Sequence, residues 1–306
     1  MIRQSLVVAA MTMASALTGI SAQQARTTIR SRVDVVLVPV SVTDGNRPVR
    51  GLTASDFALR DNGVGQEFTC AAAESLAVDA TLVVDTSGSV RGKALEQFNA
   101  DVQRIAESLQ PNDRLRLITF AGDATDVSGL QPGGVRFPVD RITGSGATSL
   151  YNALAAALIA FPESDRPQLV FGFSDGLDNM SFLDASGLAS LAGYSHAVLY
   201  LTLVSRSDAA NGRGSGQATG RFVPYTGGPN RRLLTEAANR TGGGVYQRPV
   251  GTSLSALFEQ ALDQFRSSYV LTFTPRDVKA NGWHTLTLKT KDPRHRLRWR
   301  SGYEGG

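Results

Sequence analysis

From residue 77 onward the chain alternates short apolar runs with longer segments of helical periodicity, and few folds accept that alternation. The runs AVDATLVVD (77–85), RLRLITF (114–120), QLVFGFS (168–174) and HAVLYLTLV (196–204) read as buried strands. TDVSGL (125–130) reads as a further short strand. Between the first two runs, Ala94, Leu95, Phe98, Val102, Ile105 and Leu109 recur at helical spacing across 91–109. TSLYNALAAALIAF (148–161) is an apolar helix stopped before Pro162, and further helices are expected at 230–240 and 253–265, with a short strand near Val245 between them. Strand and helix in alternation predict an α/β fold, a doubly wound and mainly parallel sheet with helices on both faces.

Both flanks have a different grammar. VDVVLVPVSVT (33–43) is β-branched and nearly continuous, and FALRDNGVGQEF (57–68) reads as a hairpin with Asp61, Asn62 and Gly63 at its tip. At the other end, SYVLTFTP, WHTLTLKTK and HRLRWRSGY are strand-like again. These flanks, 31–74 and 268–304, are expected to pair into a small β-domain around an α/β domain at 77–267. The Gly-, Ser- and Asn-rich stretch 205–228 reads as a surface insertion.

The first 22 residues stand apart from the fold. Arg3 precedes an uncharged apolar run at 6–20, and Ser21-Ala22-Gln23 offers a small-residue cleavage point. That layout predicts a signal peptide, hence an exported protein, periplasmic or secreted, with no membrane span left after cleavage. The net charge of +4 is too mild to argue for nucleic acid as a partner. Cys70 is the single cysteine, so no intramolecular disulfide forms, and no histidine lies near it in sequence to make it a nucleophile.

Polar residues gather where the apolar runs end. Asp85-Thr86-Ser87-Gly88-Ser89 follows TLVV as D-x-S-x-S, at the strand end where open α/β sheets bind ligands. One carboxylate and two hydroxyls on a tight turn offer hard oxygen donors suited to Mg²⁺, Ca²⁺ or Mn²⁺, although Ser and Asp after a strand also serve as helix caps. Thr148 stands at a helix start after a Gly-rich approach, and Asp175 closes another buried run, FGFSD.

With these segments together, residues 77–267 resemble the von Willebrand factor type A family. The resemblance implies a metal-ion-dependent adhesion site built from D-x-S-x-S, a later Thr and a later Asp. It assigns Ser87 and Ser89 to the cation directly, Thr148 directly or through water, and Asp85 and Asp175 mostly through bound water. One coordination position is then left for a carboxylate from a protein partner. Such a site binds rather than catalyses, and Mg²⁺ suits it because it keeps waters and prefers six ligands. The flanking segments 32–63 and 267–277, with the terminal RSGY, resemble exported bacterial proteins that carry this domain between β-segments.

Two other readings are open. Gly172-Phe173-Ser174-Asp175-Gly176 also fits G-x-S-x-G, the nucleophile elbow of serine hydrolases, with Ser174 as nucleophile and one of His196, His284 and His295 as base. Against it, residues 177–181 separate the elbow from any helix. A metal-independent scaffold in envelope assembly is the other. Asp178 reads as a solvated loop carboxylate, and the basic run ending in Arg296, Arg298 and Arg300 as a solvated strand face.

Overall fold

The computed structural model describes residues 35–45, 47–87, 93–139, 146–160, 166–203, 223–224, 230–248 and 252–305. The leader-like segment 1–22, Ser89 and nearly all of the 205–228 insertion lie outside the described residues.

Five strands open the chain: β1 (Val36–Asp44), β2 (Arg47–Pro48), β3 (Phe57–Asp61), β4 (Val64–Gly65) and β5 (Thr69–Ala72). The α/β portion follows as β6 (Asp79–Asp85), α1 (Lys93–Ser108), β7 (Arg114–Phe120), β8 (Ala124–Asp126), β9 (Gln131–Pro132), α2 (Leu150–Ile159), β10 (Gln168–Ser174) and α3 (Ala185–Tyr194). It continues with β11 (Val198–Leu203), β12 (Val223–Pro224), α4 (Arg231–Arg240), β13 (Gly244–Gln247) and α5 (Leu254–Arg266). Four strands close the chain: β14 (Tyr269–Phe273), β15 (Gly282–Thr290), β16 (His295–Trp299) and β17 (Gly302–Gly305).

The central sheet runs β12-β13-β11-β10-β6-β7-β8, with β9 also on β7. Its strands β13, β11, β10, β6 and β7 are parallel, and β8, β9 and β12 attach antiparallel. Adjacent residues on each strand serve opposite faces. Leu82, Val84, Leu117 and Phe171 pack with Phe98, Val102 and Ile105 of α1 and with Leu257, Phe258 and Phe265 of α5. Val83, Ile118 and Val170 pack instead with α2, α3 and α4 through Leu154, Leu188 and Leu234. Burial on both faces explains why these strands lack alternation. The fold is the expected α/β one.

The chain ends form the small β-domain. β1 lies between β14 and β16, and β14 also pairs with β5, all antiparallel. A second sheet, β17-β15-β3-β4, shares their core. Val36, Val38, Val40 and Val42 of β1 point into that core with Leu271, Leu286 and Leu288. The hairpin tip is as expected, with Asn62 at φ 46° and Gly63 at φ 85°, the left-handed pair that a two-residue hairpin turn requires.

HRLRWRSGY is two strands rather than one, broken at Arg300, and of its basic residues Arg296 is exposed as expected, whereas Arg298 is half-buried and Arg300 buried. Arg300 is only 1% exposed and donates to the carbonyls of Gly302 (2.8 Å) and Gly193 (3.3 Å). Arg298 donates to the Tyr246 hydroxyl (2.9 Å). Burial pushes the Arg300 guanidinium down to about 10, so it remains charged at neutral pH. These arginines fasten the β-domain to the α/β portion, where Trp283 also packs so tightly on Gly193 that an added Cβ would lie 2.8 Å from its ring. Gly193 is at the C-terminal end of α3, which returns the chain to the start of β11. The β-domain therefore docks at the edge where the parallel strands begin, opposite the edge where they end.

Candidate functional site

At the opposite edge, β6 ends at Asp85 and the adjacent β10 ends at Ser174, in parallel register through Val84 and Phe173. The register brings the Ser174 hydroxyl to Asp85, and it donates to Oδ2 at 2.8 Å. The other carboxylate oxygen, Oδ1, accepts the Ser87 amide at 2.9 Å, which curls the turn after β6. Asp175 makes the equivalent turn after β10, where its Oδ1 accepts the Leu177 amide at 3.0 Å. Gly176, at φ +79°, supplies the left-handed step there, and its amide donates to Ser174 Oγ at 3.1 Å.

Thr148 joins this edge through two sets of bonds. Consecutive carbonyls at the end of β7 hold the neighbouring loops. That of Phe120 accepts the amide (2.8 Å) and hydroxyl (3.1 Å) of Thr86, and that of Ala121 accepts the amide (2.8 Å) and hydroxyl (3.0 Å) of Ser149. The Thr148 carbonyl accepts the amides of Asn179 (2.9 Å) and Met180 (3.1 Å), while the Thr148 amide donates to Asn179 Oδ1 at 2.8 Å. So the Asp85 turn, the Thr148 segment and the loop after Asp175 form a closed triangle of hydrogen bonds. Of the five residues singled out in the sequence, Asp85, Ser87, Thr148 and Asp175 lie on these joined segments; Ser89 is outside the described residues.

Sequence reasoning missed the residues that tie the triangle. Thr86, Ser149 and Ser174 occupy the unspecified positions beside the motif residues, and only their buried hydroxyls in a polar strand end could have flagged them. Asp178 was misread as solvated. Its Oδ2 accepts the Tyr151 amide at 2.9 Å and the Ser181 hydroxyl at 2.6 Å, which caps the first turn of α2 from another segment. Ser149, the local N-cap residue, makes no capping bond because its hydroxyl is committed to Ala121. Behind α2, burial pushes the Tyr151 phenol up, and its oxygen accepts from Asn230 at 2.7 Å. Arg248, just beyond β13, lies over the Phe173 ring at 5.5 Å, and burial pushes its guanidinium down.

The donor set at this edge is carboxylate and hydroxyl oxygen. No group of three or more His, Cys, Asp or Glu side chains lies together among the described residues, so the soft, charge-rich ligand sets of structural zinc sites are not present there. Hard oxygen donors with few charges fit a divalent cation that keeps water ligands.

Ser174 does not have the surroundings of a hydrolase nucleophile. Its hydroxyl is committed to Asp85, and the histidines have partners elsewhere. His284 lies within the β-domain against Asp61 (2.9 Å) and Tyr303 (3.0 Å), His295 near Asp292 (3.8 Å), and His196 near Arg300 (3.4 Å). Ser174 is in register with Leu203, whereas His196 precedes the start of β11, roughly 20 Å back along the strand direction.

Residues 81–177 match the family model described as von Willebrand factor type A domain. No curated protein matches the chain. Among solved structures, proximal thread matrix protein 1 from the mussel byssus, described with a zinc-occupied MIDAS motif, is 16% identical with a TM-score of 0.50. The overlap covers 69% of this chain and 50% of the mussel chain, so this chain spans half the length of that relative. BatB from Bacteroides thetaiotaomicron is 17% identical over 62% of this chain and 98% of its own, with a TM-score of 0.42. A von Willebrand factor type A protein from Catenulispora acidiphila is 11% identical over 90% and 64%, with a TM-score of 0.44. At such identities the likeness is one of fold. With the family match running from β6 past Asp175, the chain carries a von Willebrand factor type A domain.

Proposed function

We propose that this protein is an exported binding module that holds one divalent cation, Mg²⁺ by its oxygen donors, between Asp85, Ser87, Ser89, Thr148 and Asp175. The cation then takes a carboxylate from a protein partner. The observation that carries the reading is the triangle of hydrogen bonds that joins the Asp85 turn, Thr148 and the loop after Asp175 at one sheet edge.

The chemistry supports binding over catalysis. Hydroxyl donors leave most of the metal's charge uncompensated, so it attracts an anionic ligand, whereas the site's own carboxylates repel an acidic partner until a cation is bound. Asp85 is braced by Ser174 and the Ser87 amide, and this fixes how its oxygens face the cation or its waters. When bound, the metal supplies electrostatic attraction and geometric preference for a carboxylate oxygen. Zinc in the motif of the mussel protein supports divalent-cation use by this fold. The leader-like run at 6–20 supports export, and no described helix is long and apolar enough to cross a membrane.

Titration calorimetry with Mg²⁺ tests the site. Asp85→Ala is expected to abolish the binding isotherm while circular dichroism shows the fold retained, with the thermal midpoint lowered by about 2–4 °C because the Ser174 hydroxyl and the Ser87 amide lose their acceptor. Equal Mg²⁺ affinity in the two proteins would overturn the assignment.

A further inference from the structure

The loop between Asp175 and α3 presents two large apolar side chains to solvent. Phe182 is fully exposed, at 101% of its reference area, and Met180 is 54% exposed. The backbone that carries them is not loose. Asn179 and Met180 donate to the Thr148 carbonyl, and Ser181 accepts the Asn152 amide at 3.0 Å. The Ser181 amide donates to Asp178 (3.1 Å), and that of Leu183 to Asn152 Oδ1 (3.2 Å). Leu183 turns inward and packs against the core formed with α2 and α3. Hence Phe182 faces outward between two inward-anchored neighbours.

We infer that Met180 and Phe182 form a preorganised apolar contact beside the cation site, and that the protein partner places a large apolar side chain next to its metal-binding carboxylate. This rests on the cation reading proposed above. The patch lies within reach of one short peptide segment, because the Met180 amide donates to the Thr148 carbonyl at 3.1 Å and the Leu183 amide is held by Asn152 in the first turn of α2. Met and aromatic side chains are enriched in protein interfaces, and a contact held rigid before binding costs little ordering entropy.

A membrane is the poorer fit to the same patch. The loop contains Asp175, Asp178 and Asp184 and no Lys or Arg, whereas segments that lie on anionic bilayers are basic. Asp178 and Asp184 are engaged locally, Asp178 capping α2 and Asp184 capping α3 through the Gly187 amide at 2.7 Å, and the bound cation offsets their repulsion of an acidic partner. Asp175 faces the proposed cation.

A random twelve-residue peptide library displayed on phage, bound in Mg²⁺ and eluted with EDTA, tests the inference. The unaltered protein is expected to enrich Asp or Glu with Phe, Tyr, Trp, Leu or Met within three positions. Selection on Phe182→Ser is expected to keep the acidic residue and lose the apolar neighbour. The best synthetic peptide should bind that variant about thirtyfold more weakly. The thermal midpoint should not change, because the Phe182 side chain makes no buried contact. Acidic enrichment without an apolar neighbour, or equal affinity for Phe182→Ser, would refute the apolar contact and leave the cation site standing. Absence of EDTA-eluted acidic peptides would remove both. Co-sedimentation of the unaltered protein, but not Phe182→Ser, with phosphatidylglycerol vesicles would overturn the inference in favour of a lipid surface.

Discussion

Asp85 is one carboxylate with two restraints, and Ser174 supplies the one that comes from another strand. The same serine that gives the G-x-S-x-G pattern is thus a brace for the carboxylate rather than an attacking group. Ser174→Ala is expected to weaken Mg²⁺ binding about tenfold, as loss of a bond to a metal-site carboxylate does, with the fold retained. Calorimetry reads this directly, and an unchanged affinity would mean that the bond does not position Asp85. At this scale the sequence was informative where a polar residue ended an apolar run, as at Asp85 and Asp175. It was silent about Thr86 and Ser149 and gave Ser174 a different role, because what these hydroxyls do depends on which strands become neighbours. Arg300 shows the opposite failure: a residue that looked solvated by alternation is buried, since strand pairing alone does not say what covers a sheet face.

Among the elements, α2 links the site to the rest of the domain. Its N-terminus lies where Thr148 leaves the sheet edge, and its first amides are satisfied by Asp178 and Ser181 from the following loop. A cap supplied from about thirty residues away has no local sequence signature, which is why the helix but not its cap was legible. Asp178→Ala removes the acceptor of the Tyr151 amide and the partner of Ser181. A loss of about 1 kcal/mol is expected, within the usual range for caps, and a fall of about 2–4 °C in the thermal midpoint. A midpoint equal to that of the unaltered protein in differential scanning calorimetry would show that the contact carries no stability. α3 was also missed; its segment ASGLASLAGY has two glycines and little charge, and it is helical because Leu188, Ala189 and Ala192 pack in the core beside α2 and α4.

For the whole molecule, the parallel sheet was legible because buried strands and amphipathic helices leave distinct periods. The β-domain was foreseen only as a pairing of the chain ends; its register came from the four inward valines of β1, and its docking from buried arginines that composition could not locate. That docking occupies the edge where the parallel strands begin, away from the strand ends that carry Asp85, Ser174 and Asp175. The central claim is that a single cation lies at those strand ends. A crystal soaked in Mn²⁺, with anomalous diffraction collected at the manganese edge, tests it most directly. One strong peak within coordination distance of the Ser87, Ser89 and Thr148 hydroxyls is predicted, with Asp85 and Asp175 reaching it mostly through water. No peak between those residues, or a stronger one elsewhere on the chain, would contradict it.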